Sequence, residues 1–289
     1  MTSLPPAVEL GPVGPPAYRR GVSIELLWAV TDGPAGTAAV TLPEDGAAAR
    51  VLGLHRSDGF WCSREAGGCG RRLALEVGEG SRPHFRHPGD VRCAFTGSDA
   101  GPAYEHLRYR RAVGAWLAAQ GFRPRLEEVP GPPGSGGLHV VVPEVSSAVA
   151  VQLSPLPDTT WRERDDRYRR RVRHVTWLYG PGAESAGDTE LAVRGVAYAV
   201  RRHNRGLLVC VRDVDGGTRW VRLGACHLTA DGFEAPGTGE ARALHARRSA
   251  ERQEAARRAA RCAERAAQGL RAGRRSTPGA EAPPLPFPA

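Results

Sequence analysis

The chain has 289 residues, a 41% apolar fraction and a net charge of +9, which is enough for two small domains with packed cores. All 40 basic residues are arginine, so chemistry that needs a lysine amine, Schiff-base formation included, is excluded. No apolar run approaches the roughly 18 residues that suggest a membrane span, and 36 Gly with 24 Pro imply many turns and unstructured ends.

Residues 1–20, with Pro5-Pro6 and Pro15-Pro16, read as a disordered lead-in without the basic-then-apolar pattern of a signal peptide. Six cysteines in such a chain point to a reducing, cytoplasmic setting and away from a disulfide framework. Residues 21–97 read as a small β-rich module, with strands expected at Val22–Val30, Ala38–Leu42 and Val51–His55. Within it, Cys62-x6-Cys69 is followed by His84-Phe85-Arg86-His87 and then Cys93. Thiolates and imidazoles in two clusters suit tetrahedral Zn²⁺. A Gly-rich module with little core would gain folding free energy from such a structural metal. The candidate ligands are therefore Cys62, Cys69, His84, His87 and Cys93, with the two histidines competing for one place. The plainer reading makes Cys62 and Cys69 buried thiols and both histidines surface residues. Cys226-His227 is at most half of a site, and Cys210 reads as strand core.

Residues 98–204 form the next block. A helix opens near Pro102, carries Leu107, Arg110-Arg111, Val113 and Leu117 at helical spacing, and closes at Gly121. Strands are expected at Arg123–Val129, Leu138–Val142 and Ala148–Leu153, the first two separated by the breaker cluster Pro130–Gly134. A polar helix over Thr160–Val172 and a strand over His174–Tyr179 follow. This α-β-β-β-α-β order is that of a restriction-endonuclease-like core. Asp188–His203 reads as a further helix. In the extension 205–239, Leu207–Arg212 and Thr218–Leu223 read as a hairpin around Asp215-Gly216-Gly217. Residues 240–275 carry eleven Arg and four Glu, a local charge of +7, along a narrow Ala stripe. They read as a basic helix that tracks phosphates or pairs with an acidic protein partner. Residues 276–289 are a Pro-rich tail.

Metal-dependent phosphodiester hydrolysis needs carboxylates to fix Mg²⁺ and a group to orient the attacking water. The strand positions where these would converge hold Glu127 or Glu128, His139, and the pair Ala150 and Gln152. Of these, only the glutamates and Gln152 are polar groups of the right kind, and His139 suits hard Mg²⁺ poorly. Glu144 and Asp158 are possible displaced acids. Arg164 and Tyr168, one turn apart on the polar helix, are placed to face the same site. The run Arg162–Arg173 holds seven Arg against three acids. It binds phosphate if residues such as Arg162, Arg167 and Arg169 gather on one side, and is otherwise an ordinary solvated face. Glu105 and His106 are helix neighbours about 100° apart and make no obvious acid/base couple.

Taken in order, Phe60-Trp61-Cys62, His84-Phe85-Arg86-His87, Glu105-His106, Trp116-Leu117, Gln152-x-Ser154, Arg164-x3-Tyr168 and Val175-Thr176-Trp177-Leu178 resemble the competence protein CoiA family between about Ser23 and Gly180. The resemblance implies a mixed α/β (α+β) protein with a small N-terminal β-rich zinc-binding module, a restriction-endonuclease-like core and, outside the match, the basic C-terminal helix. It implies DNA processing, with His106 and Arg110 among the candidates for holding nucleic acid. That family carries Asp on its second core strand and Glu-x-Gln on its third, where this chain has His139 and Ala150-x-Gln152. The expected function is accordingly DNA binding with hydrolysis lost or very weak. The competing expectations are an active Mg²⁺-dependent nuclease using displaced carboxylates, and a non-enzymatic protein-interaction module acting through the basic helix.

Overall fold

The computed structural model describes residues 25–275 apart from 57, 79, 90, 96–99, 128–136 and 205. The expected lead-in 1–20, the tail 276–289, the breaker cluster and Glu128 lie outside the described residues. Among the described residues the protein is a mixed α/β chain with three sheets and five α-helices. It falls into two compact units, divided between Arg108 and Tyr109.

The first unit contains β1 (Trp28–Val30), β2 (Ala39–Thr41), α1 (Gly46–Leu54), β3 (Phe60–Trp61), β4 (Arg72–Glu76) and β5 (His84–Arg86). The strands form one antiparallel sheet in the order β2-β1-β3-β4-β5. Leu26, just before β1, exchanges both backbone hydrogen bonds with Phe85 of β5 at 2.9 and 2.7 Å. Leu26, Val30, Phe60, Leu73, Phe85, Tyr104 and Leu107 are buried in its core. One sequence expectation is corrected here: Val51–His55 is not a strand but the second half of α1 and its C-cap. The Asp45 carboxylate accepts from the Ala48 N–H at 2.7 Å, which caps the helix start. Ala47–Ala49 then favour helix over the β preference of Val51, which is left 52% exposed.

The helix α2 (Gly101–Ala119) contains the division between the units. In the second unit follow β6 (Arg125–Glu127), β7 (Gly137–Val142), β8 (Ser147–Gln152), α3 (Asp158–Arg169), β9 (His174–Tyr179), α4 (Glu184–Arg194), β10 (Val196–His203), β11 (Gly206–Asp213) and β12 (Thr218–Arg222). A short hairpin, β13 (His227–Thr229) and β14 (Gly232–Glu234), precedes α5 (Thr238–Arg275). The main sheet runs β12-β11-β10-β9-β8-β7-β6, parallel only at β8-β9 and β9-β10. A second expectation is corrected at this point. Asp188–His203 is not one helix, because Gly195 adopts φ 75° and caps α4. Val196, Tyr198 and Val200 then alternate along β10 onto one sheet face.

Period two sorts the side chains of β7 and β8. Leu138, Val140, Val142, Val149 and Val151 turn to the face packed with Val113, Trp116, Leu117, Leu228 and Phe233. The Trp116 indole donates to the Cys226 carbonyl at 2.9 Å and meets Phe233 edge-on, so truncation to Ala should cost about 3–5 kcal/mol. His139, Ala148, Ala150 and Gln152 turn to the other face, where α3 and α4 lie with Trp161, Tyr168, Trp177 and Ala186. β8 is buried along its whole length, as expected for a central strand covered on both sides.

Candidate metal centre and sheet-centre cluster

Cys62 directly follows β3, and the chain then makes a tight turn through Arg64–Ala66 to Gly67, which has φ 88°. The Gly68 N–H donates to the Ser63 carbonyl, and that of Gly70 to the Cys62 carbonyl, both at 2.7 Å. A Cβ on Gly68 would lie 2.4 Å from the Cys62 sulfur, so only glycine lets the loop fold over it. This returns Cys69 to the side of Cys62. The β4-β5 hairpin brings in His87, and the following segment brings in Cys93.

The ligand atoms of Cys62, Cys69, His87 and Cys93 all lie within 4.8 Å of one another. Cys62 Sγ is 3.6 Å from Cys93 Sγ, and Cys69 Sγ is 3.1 Å from His87 Nε2. Zn–S bonds of about 2.3 Å put tetrahedral sulfurs about 3.8 Å apart, so these four residues could hold an ion of that kind. Hydrogen bonding to Cys62, and then to the nearby His87, lowers the pKa of the Cys93 thiol. Hydrogen bonding to Cys93 and burial hold Cys62 protonated. The Tyr104 hydroxyl accepts from the Ser63 N–H at 3.0 Å and steadies the loop beside Cys62. His84, the other candidate, is drawn away: its Nε2 is 3.3 Å from Glu76, and its Nδ1 lies 3.0 Å from the Arg82 carbonyl.

In the second unit, Glu127, His139, Ala150 and Trp177 form one row across β6 to β9, and Gly137, Gln152 and Tyr179 form the next. His139 and Gln152 are 2% and 1% exposed, so this is an enclosed cluster and not an open cleft. The His139 Nδ1 contacts the Tyr168 hydroxyl of α3, and the two rings meet edge-on. The Gln152 amide donates to Ser154 O at 2.8 Å and Ser154 Oγ at 3.0 Å, while its Oε1 is buried without a hydrogen-bond partner. A Cβ on Gly137 would sit 3.1 Å from both Gln152 Oε1 and His139 Nε2 and 2.7 Å from the Val151 carbonyl. The bare glycine thus leaves a small polar gap between them. Arg164 lies on the inner arc of α3, with one Nη buried and unpartnered, and burial followed by the neighbouring Arg167 lowers its pKa.

Three of the acids around this cluster, Glu127, Asp165 and Glu190, are engaged by arginine side chains. Glu127 makes a two-bond pair with Arg171 at 2.6 and 2.9 Å. Asp165, buried on α3, accepts from the Trp177 indole at 2.9 Å, from Arg169 at 2.8 Å, and from Arg194. Burial pushes its pKa up, but these donors win and hold it low. Arg194 also donates to Glu190 at 2.5 Å and lies over Trp161. Burial nonetheless raises Glu190 to about 7, since Arg194 is shared with Asp165. Glu144 accepts from the Arg123 N–H at 3.0 Å, and Asp158 from the Thr189 hydroxyl at 2.7 Å. Among the described residues no three Asp, Glu, His or Cys ligand atoms gather here, so the donor set does not fit a Mg²⁺ cage.

The remaining candidates are spread out. Arg162, Arg167 and Arg169 are exposed on α3, but Glu163 and Asp166 are exposed on the same arc, and Arg169 is tied to Asp165. His106 and Arg110 are half-buried on α2, the former in the first unit and the latter in the second. The group formed by the buried Asp165 and Glu190 with the half-buried Arg194 escaped the sequence reading. Its signal was Asp165 lying between Trp161 and Tyr168 on one helical arc. No family model, curated protein or solved structure matches the chain.

Proposed function

We propose that the protein is a CoiA-like DNA-handling protein whose restriction-endonuclease-like second unit binds DNA and has lost phosphodiester hydrolysis. The observation that carries this reading is the sheet-centre cluster. On this reading Gln152, His139 and Tyr168 stand where a nuclease of that class would act, while Glu127, Asp165 and Glu190 are each held by arginine side chains. Burial of Ala150 among Trp161, Tyr168 and Trp177 supports the same view, because apolar packing fills the place of a metal-holding acid. Zinc is the ion we assign to Cys62, Cys69, His87 and Cys93, since three sulfurs and one imidazole nitrogen suit it best. When bound it would supply a structural cross-link for the first unit.

DNA affinity then comes from arginine, above all the +7 carried by residues 240–275. The test is binding of labelled duplex and single-stranded DNA across a salt series, with and without Mg²⁺. The reading expects affinity that falls steeply with salt and is unmoved by Mg²⁺. Binding that requires Mg²⁺ would favour a working metal site. Absence of binding at low salt would leave α5 as a surface for an acidic protein.

A further inference from the structure

The far end of the main sheet carries a feature that the cluster does not use. On β10, β11 and β12, Arg201 stands opposite Leu208, and Leu208 opposite Arg222; in the adjoining row Ala199, Cys210 and Trp220 are aligned. Opposed residues share a face and the rows differ by two, so Arg201, Leu208, Trp220 and Arg222 project from one side. Two strand spacings put Arg201 and Arg222 about 10 Å apart. Trp220 is 39% exposed on the edge strand, and the Arg201 guanidinium lies over its ring, 4.0 Å from the centroid. Arg201 and Arg222 are exposed, and among the described residues neither has an acid partner. The acids of this hairpin, Asp213 and Asp215, lie at its opposite end. There Asp213 accepts from turn N–H groups and Asp215 pairs with Arg248.

We propose that this face binds single-stranded nucleic acid, with a base stacked on the Trp220–Arg201 platform and flanking phosphates held by Arg201 and Arg222. The inference deepens the nucleic-acid reading by naming the strand form and a second surface for it. An exposed indole capped by a guanidinium offers a flat platform to an unpaired base, whereas a duplex hides its base faces in its own stack. Two uncompensated cations beside the ring fit the phosphates on either side of that base. An acidic peptide would satisfy the arginines but would leave the aromatic face unused.

The experiment is fluorescence anisotropy of a labelled oligo-dT and a labelled duplex with the full chain, alongside Trp220→Ala, Trp220→Phe, Arg201→Gln/Arg222→Gln and the truncation after Ser249. Circular dichroism checks the fold of each variant. Trp220→Ala should weaken single-strand binding by about 5- to 150-fold, and Trp220→Phe should retain most of it. The double arginine variant should lower the log-log salt slope by about 1 to 1.5. If Trp220→Ala and the arginine variant bind as the unaltered chain does, this surface is excluded. If only the truncation after Ser249 then weakens binding, the reading that places DNA affinity on α5 survives alone. No binding to either strand form overturns both readings. Competition of an acidic peptide for this face without oligonucleotide binding would also overturn the proposal.

Discussion

His87, and not His84, completes the cysteine cluster because strand alternation decides it. Phe85 is buried at 0% exposure, so its neighbours His84 and Arg86 share the opposite side and both meet Glu76, while His87 returns to the Phe85 side. The spacing of the four ligand-bearing segments was legible in the sequence, but the choice between histidines needed the β4-β5 register. His87→Ala should weaken zinc retention by roughly tenfold or more against a chromogenic chelator, whereas His84→Ala should leave it unchanged. A second residue-scale prediction concerns Glu190. Its folded pKa, raised by burial to about 7, lies above the ordinary 4.5, so the folded state binds the proton more readily than the unfolded chain. That stabilisation is full below pH 4.5 and is lost as pH rises through about 7. Asp165 acts in the opposite sense: held below 3.8, it contributes above that pH and is lost on acidification. Melting temperature should therefore fall between pH 5 and pH 8, and Glu190→Gln should flatten that slope. An unchanged slope in the variant would remove Glu190 as its source.

At the scale of elements, helices and strands with a long apolar signal were legible: α2, β7, β8, α3 and β9 fall close to where periodicity puts them. The two misread segments had their deciding residue just outside the apolar run. Asp45 caps α1 ahead of Val51, and Gly195 ends α4 before β10 begins. The pairs β4-β5 and β13-β14 carry too few residues for periodicity to find them. The basic helix was expected, and its environment is now defined. Ala241 packs in the core and Arg242 pairs with Glu234 at 2.6 Å, whereas residues 250–268 are exposed on every side. A helix with no buried face contributes little to the stability of the unit below it. Truncation after Ser249 should leave stability within about 0.5 kcal/mol in denaturant titration. The same truncation should lower DNA affinity and flatten the salt dependence. A large loss of stability, or unchanged DNA binding, would contradict the assignment of α5 as an electrostatic arm.

For the whole molecule, charge and chemistry are separated. Residues 240–275 hold +7 of the net +9, while His139 and Gln152, which the proposed function assigns to the former nuclease site, sit in an enclosed cluster of the second unit. His139 and Ala150, which stand where the proposed resemblance expects acids, face each other across β7 and β8. What the sequence left open was whether another acid replaces them. Asp165 and Glu190 come nearest in burial, yet the pair shares Arg194, and Asp165 is further held by Arg169 and the Trp177 indole. Freeing both carboxylates for a metal would leave the half-buried Arg194 without its acid partners, which opposes such a rearrangement. The most direct measurement is a cleavage assay on plasmid and single-stranded DNA with Mg²⁺ or Mn²⁺, at protein concentrations where binding is saturated, with Gln152→Ala as control. The account predicts bound and uncut DNA under every condition. Metal-dependent cutting that disappears in Gln152→Ala would contradict it, and would mean that the sheet-centre cluster holds a working metal site.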